Sequence, residues 1–180
     1  MAEPSSKAEQ EKTLTEYDVI GPTIQTSKEL SLEKLFVTTV KDTIGDIQNL
    51  NVLDLACGDG AFAARFLQWG AASVTGVDIS EFMVKQAIAN STIPRDLGAK
   101  SKVDFVVADC THPLDLGEGR RRQFDLVTGL WLLNHAKNKT ELSTMWSNIA
   151  RHLKPGGRFL GVLPNHSLLD KEKTAAHIRC

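Results

Sequence analysis

The run Val52-Leu-Asp54-Leu-Ala56-Cys-Gly58-Asp-Gly60 sets two glycines, one residue apart, directly behind a short apolar stretch. Glycines there let the backbone turn sharply and approach a ligand with no Cβ in the way, and a helix starting at Ala61 would offer unpaired N–H groups beside them. A bare glycine pair also suits a plain strand-turn-helix connection, so the partners matter. Asp78, 18 residues past Gly60, closes the apolar run Val74-Thr-Gly-Val77. A carboxylate at the carboxyl end of a second strand can accept both hydroxyl protons of a ribose, although Asp78 beside Ser80 would also serve as a helix cap. Asp109 closes Phe105-Val-Val-Ala108 in the same way. It can accept from the exocyclic amine of adenine while the backbone N–H of Cys110 donates to the ring. Taken alone, Asp109 also reads as a loop aspartate; three strand ends with ligand-capable groups point to a nucleoside.

The elements that must hold these residues follow from the hydrophobic pattern. Strands are expected at 51–56, 73–78, 103–108, 124–129 and 158–163, and helices at 61–69, 80–90 and 139–152. In the last helix Leu142, Met145, Trp146, Ile149 and Leu153 recur at helical spacing, Asn138 and Glu141 form a capping box, and Lys154-Pro-Gly-Gly157 is expected to end it. Trp146 and Phe66 are expected to be packing residues. An earlier helical pattern within 14–45 places Leu32, Leu35, Phe36 and Val40 on one face, capped by Ser27 or Ser31. Strand and helix alternating in this order favours a parallel sheet covered on both faces, with ligands beyond the carboxyl ends of its strands. The organisation expected is a disordered arm over 1–12, a helical cap over 13–48, a core over 49–165 and a short tail over 166–180.

Composition narrows the classes of function. Lys plus Arg number 21 and Asp plus Glu 22, a net charge of -1 that generates no field to attract nucleic acid or an anionic membrane. Neither partner is expected. Three cysteines, Cys57, Cys110 and Cys180, show neither paired nor metal-ligand spacing, and the five histidines do not either, so no metal is expected. A reducing, cytoplasmic setting is the simplest fit. Arg120-Arg-Arg122 reads as a solvated charge run.

Leu53-Asp54-Leu-Ala-Cys-Gly58-Asp-Gly60, Gly76-Val-Asp78-Ile-Ser80, Val107-Ala-Asp109, Phe124-Asp-Leu-Val-Thr-Gly-Leu-Trp-Leu-Leu-Asn134-His135 and Leu153-Lys-Pro-Gly-Gly-Arg-Phe159 resemble, in order and spacing, the successive motifs of class I S-adenosylmethionine-dependent methyltransferases. The chain is similar in particular to small-molecule enzymes with a DLACGxG loop. The resemblance implies an α/β, Rossmann-like, doubly wound and mainly parallel sheet, here with five strands and without the C-terminal strands that usually follow. It implies S-adenosyl-L-methionine as cofactor and a small-molecule acceptor. Ala56, Gly58 and Gly60 would hold the methionine portion, with Asp54 supporting the loop or reaching the ammonium through water. Asp78 would take the ribose, Ile79 the adenine face, and Asp109 with Cys110 the adenine edge. Leu130 and Trp131 would line the cofactor near the transferring methyl, and Tyr17 would belong to an N-terminal lid. His135, where the family usually has Tyr, is the candidate base for an acceptor that must lose a proton; a structural histidine at a loop start is the plainer reading.

An uncovered sheet edge beside strand 158–163 implies low stability or self-association, and without the elements that usually help build the acceptor pocket, methyl transfer to free small acceptors is expected to be feeble. Two other readings compete: a cofactor-binding, catalytically weak fragment acting through a partner, and a dinucleotide oxidoreductase, since Gly58-Asp-Gly60-Ala-Phe-Ala63 also satisfies GxGxxA. Asp54, Asp109 and the lack of a Tyr-x-x-x-Lys pair weigh against the latter.

Overall fold

The computed structural model describes residues 30–91, 102–117 and 123–163. Five strands, β1 (Asn51–Leu55), β2 (Ser73–Asp78), β3 (Lys102–Val107), β4 (Phe124–Leu130) and β5 (Leu153–Val162), form one sheet in the order β3-β2-β1-β4-β5. Every pairing is parallel. The first three strands step outward from β1 and the last two step out on its other side. The order therefore reverses between β1 and β4, where a crevice opens at the carboxyl ends.

Helices α1 (Leu30–Ile44) and α2 (Ala61–Gln68) cover one face, where Val40, Ile44 and Ile47 pack with Val52, Phe66, Leu67, Val74, Leu126 and Leu130. Helix α3 (Glu81–Asn90) lies over β2 and β3. Helix α4 (Lys139–His152) covers the other face, where Met145 and Ile149 meet Leu53, Leu55, Val77 and Val127. The two-residue period of the strands splits these sets: Val52 and Leu126 face one layer, Leu53 and Val127 the other. Asp125 ties the amino end together, accepting from the Asn51 backbone N–H at 2.9 Å and pairing with Lys154 at 2.6 Å. Burial raises the Asp125 carboxyl pKa, but these bonds outweigh it and hold the group below its ordinary range.

The capping of α4 follows the sequence closely. Asn138 Oδ1 accepts from the Glu141 N–H at 2.9 Å, and Glu141 Oε2 accepts from the Lys137 N–H at 2.8 Å. Ser80 caps α3 by accepting from Met83 N–H at 3.2 Å.

Three expectations need correction. Leu35 is 64% exposed; the buried stripe of α1 runs through Phe36, Val40 and Ile44 at four-residue spacing, and Leu35 lies about 100° round the helix from it. Ser31 falls inside α1, so it does not cap it, whereas Ser27 lies outside the described residues. The segment Lys154-Pro-Gly-Gly157 ends α4 but belongs to β5, which starts at Leu153. Register jumps from Phe124↔Leu153 to Leu126↔Arg158, and the extra β5 residues bulge out on an edge strand, where Pro155 forfeits no ladder bond. Phe66 is fully buried as expected, whereas Trp146 packs edge-on against Phe159, centroids 5.2 Å apart, and stays 45% exposed.

Candidate cofactor-binding crevice

Between β1 and α2 the chain takes a left-handed backbone at every second residue: Ala56 (φ 60), Gly58 (φ 55) and Gly60 (φ 77). The turn is fastened to β2, because Cys57 N–H donates to Val77 O at 3.0 Å and Gly58 N–H donates to Asp78 Oδ2 at 2.8 Å. Gly60 N–H donates back to Cys57 O at 3.1 Å. The two glycines serve different purposes. A Cβ on Gly60 would lie 3.0 Å from Ala87 Cβ and 3.1 Å from Phe105 Cζ, so its absence lets α2, α3 and β3 close together. A Cβ on Gly58 would meet nothing within 4 Å, so its barrier to substitution is φ together with the open space it faces, not a clash inside the protein. Gly60, the N-cap of α2, has no side chain to cap the helix, and Asp59 Oδ1 accepts from Ala61 N–H at 3.2 Å.

Asp78 ends β2, 8% exposed, with Oδ2 on the glycine turn and Oδ1 accepting from Ser80 N–H at 2.9 Å. It therefore joins the turn to the start of α3. Asp54 lies beneath the turn at 2% exposure, opposite Thr128 of β4, whose hydroxyl donates to Asp54 Oδ1 at 2.7 Å. Burial pushes the Asp54 carboxyl up to about 7; the Thr128 bond opposes this and Asp78 adds to it.

One strand further out, Asp109 Oδ1 accepts from Thr111 N–H at 2.8 Å and from its hydroxyl at 2.7 Å, and Oδ2 pairs with His112 Nδ1 at 3.0 Å. Burial raises this carboxyl, but Thr111 and His112 outweigh it and hold it below its ordinary range. Ile79 and Val107 stand 43% and 45% exposed at the ends of β2 and β3, an apolar rim between Asp78 and Asp109. Cys57 and Cys110 are buried free thiols, the latter pushed up to about 12 by burial, so neither is a nucleophile at neutral pH.

The structure thus brings Asp54, Ala56, Gly58, Gly60, Asp78, Ile79, Asp109 and Cys110 to the carboxyl ends of β1, β2 and β3. Leu130 and Trp131 stand at the end of β4, buried and half-exposed respectively. His135 is exposed at the end of a short 3-10 turn, Leu133–His135. Tyr17 and Arg120-Arg-Arg122 lie outside the described residues.

Sequence reasoning missed three residues. Thr128 holds Asp54 from 74 residues away, and only the β1–β4 register reveals it. Val107 stands in the Val107-Ala-Asp109 motif only as a strand residue, and its exposure beside Ile79 comes from the fold. Asn148, 2% exposed on α4, fastens the loop after β3: its Nδ2 donates to Cys110 O at 3.0 Å and His112 O at 2.8 Å, and its Oδ1 accepts from Leu114 N–H at 2.8 Å. A polar residue inside the apolar spacing of α4 was the available signal.

Comparison with known proteins places this geometry. Residues 52–157, more than half of the chain, match the family model described as a methyltransferase domain. The mRNA cap guanine-N(7) methyltransferase of Caenorhabditis elegans is 31% identical over 137 residues, 72% of this chain and 36% of that protein. The demethylmenaquinone methyltransferase of Lactococcus lactis is 31% identical over 135 residues, 73% and 49% respectively. A solved S-adenosylmethionine-dependent methyltransferase from Mesorhizobium loti superposes with a TM-score of 0.54 at 25% identity, covering 68% of this chain and 49% of that one. The chain spans from about a fifth to a half of the length of the curated relatives it matches. With its strand order, glycine turn and paired aspartates, it belongs to the class I methyltransferases, the family whose cofactor is S-adenosyl-L-methionine.

Proposed function

We propose that the chain catalyses methyl transfer from S-adenosyl-L-methionine to the O, N or C nucleophile of a small-molecule acceptor. The observation that carries this reading is the left-handed turn at Ala56, Gly58 and Gly60, open to the crevice at Gly58 and held from β2 by Asp78. The cofactor supplies a sulfonium methyl that the acceptor takes by in-line displacement, so the protein's share is chiefly geometric.

In this reading the turn holds the methionine portion, with Asp54 supporting it from beneath or reaching the ammonium through water, Asp78 accepts from the ribose hydroxyls, and Ile79, joined by Val107, packs on the adenine. Asp109 and the Cys110 N–H take the adenine edge, and Leu130 with Trp131 lines the methyl. The carboxylates serve the periphery. A carboxylate against the sulfonium would stabilise the ground state more than the transition state, which has lost positive charge. His135, exposed beyond β4, accepts the proton where the acceptor has one to lose.

The family spans nucleic-acid and small-molecule acceptors, as the cap-guanine and demethylmenaquinone relatives show by name, so family membership does not support the expectation of no nucleic acid. The near-zero net charge supports the small acceptor. Among the described residues no helix is long and apolar enough to cross a membrane. Half-exposed Leu142 and Trp146, with exposed Leu163 just past β5, the outer strand of the sheet among the described residues, support a second reading in which this face meets another copy of the chain.

Incubation with donor carrying a tritiated methyl and a panel of phenols, carboxylates and amines tests the proposal. Label in an extractable small product is expected; donor that binds but never delivers its methyl to any of them would favour the non-catalytic reading.

A further inference from the structure

Trp131 occupies a conformation that a tryptophan adopts only at a cost. The Leu132 N–H donates to Gly129 O at 3.2 Å, closing a turn over residues 129–132 in which Trp131, with φ 77, stands at the third position. A positive φ there is the mark of a type II turn, whose third residue is ordinarily glycine. For a bulky L-residue the left-handed backbone is strained. Its neighbours fix it in place, since Leu130 and Leu132 are 6% and 3% exposed.

The turn projects the indole outward at the carboxyl end of β4, beside the crevice, where it remains 45% exposed. Phe36 of α1 stacks on it, centroids 5.8 Å apart and planes 29° from parallel. Phe36 is braced edge-on by Phe62 of α2 at 5.6 Å and 87°. Three elements distant in sequence thus converge to hold one half-exposed indole in a fixed plane. A glycine would close the turn without strain.

We propose that Trp131, backed by Phe36, is the platform on which the methyl acceptor lies, and that the acceptor is a flat conjugated ring. A rigid, partly desolvated aromatic plane favours a second π-face in offset stacking and discriminates against small non-planar amines and acids, which leave it uncovered. This inference rests on the crevice being the cofactor site.

The probes are 2,3-dihydroxynaphthalene and ethanolamine, added to the full chain with S-adenosylhomocysteine present, with binding read by calorimetry and by quenching of indole emission. The naphthalenediol is expected to bind and quench, and ethanolamine to do neither at equal concentration. Trp131→Leu should weaken the diol about tenfold, a loss of roughly 1.4 kcal/mol in the range of one stacked ring, and S-adenosylhomocysteine by at most threefold. Trp131→Phe should restore most of the diol affinity. Equal loss of both ligands in Trp131→Leu, unchanged diol affinity in that variant, or ethanolamine binding as well as the diol would each overturn the platform. Failure of S-adenosylhomocysteine to bind the unaltered chain would instead overturn the cofactor site beneath it.

Discussion

Substituting Asp54 by Asn should abolish a fall in stability that the ligand-free chain shows as pH rises. Folding lifts this carboxyl from an ordinary 3.8 to about 7, chiefly by burial between β1 and β4. Each pKa unit corresponds to ~1.4 kcal/mol, so the folded chain carrying ionised Asp54 bears a penalty of about 4 kcal/mol relative to the protonated form. Because the folded pKa lies above the unfolded one, the stability is fully present below about pH 4, declines through the interval between, and is lost once pH passes about 7. Asn cannot ionise, and its Oδ1 can still accept from Thr128, although its amide needs a new acceptor, so absolute stability is a poor guide. The comparison that matters is the slope. Urea unfolding of both chains from pH 4.5 to 8 should show the difference in stability shifting by several kcal/mol in favour of the variant as pH rises. A difference independent of pH would refute the placement of Asp54 as a buried group that ionises near neutrality.

Asp78→Ala should weaken S-adenosylhomocysteine binding by ~1.5–3 kcal/mol by calorimetry, the range for hydrogen bonds to a charged acceptor, and unchanged affinity would remove Asp78 from the site. Gly60→Val should destabilise the chain more than Gly58→Val, since only Gly60 is crowded, by Ala87 and Phe105; chemical denaturation ranks the two, and Gly58→Val should show its loss mainly in cofactor affinity. Asn148→Ala strips three bonds, two of them buried, from the loop after β3 and should cost about 2–4 kcal/mol, with faster amide exchange at Leu114 as the local readout.

What could be read along the chain was whatever is local. The glycine turn is legible because Gly58 and Gly60 follow an apolar run directly, and α4 because Asn138 and Glu141 cap it three residues apart. The start of β5 is not legible locally: Pro155 and Gly156 read as a break, and only pairing with β4 shows that the outer strand of the described sheet tolerates them as a bulge. The contacts that tune the site are long-range. Thr128 reaches Asp54, and Asn148 the loop at 110–114, across separations at which residue type says nothing about proximity. Likewise Leu35 and Phe36 look equivalent in an apolar pattern, and only the packed α1 decides that Phe36 faces inward and meets Trp131.

The central claim is that the turn between β1 and α2, with Asp78, is a site for S-adenosyl-L-methionine, and calorimetric titration of the chain tests it most directly. S-adenosylmethionine and S-adenosylhomocysteine should each bind one to one, with NADH giving no heat of binding. Binding of NADH with no response to either sulfur nucleoside would contradict the account.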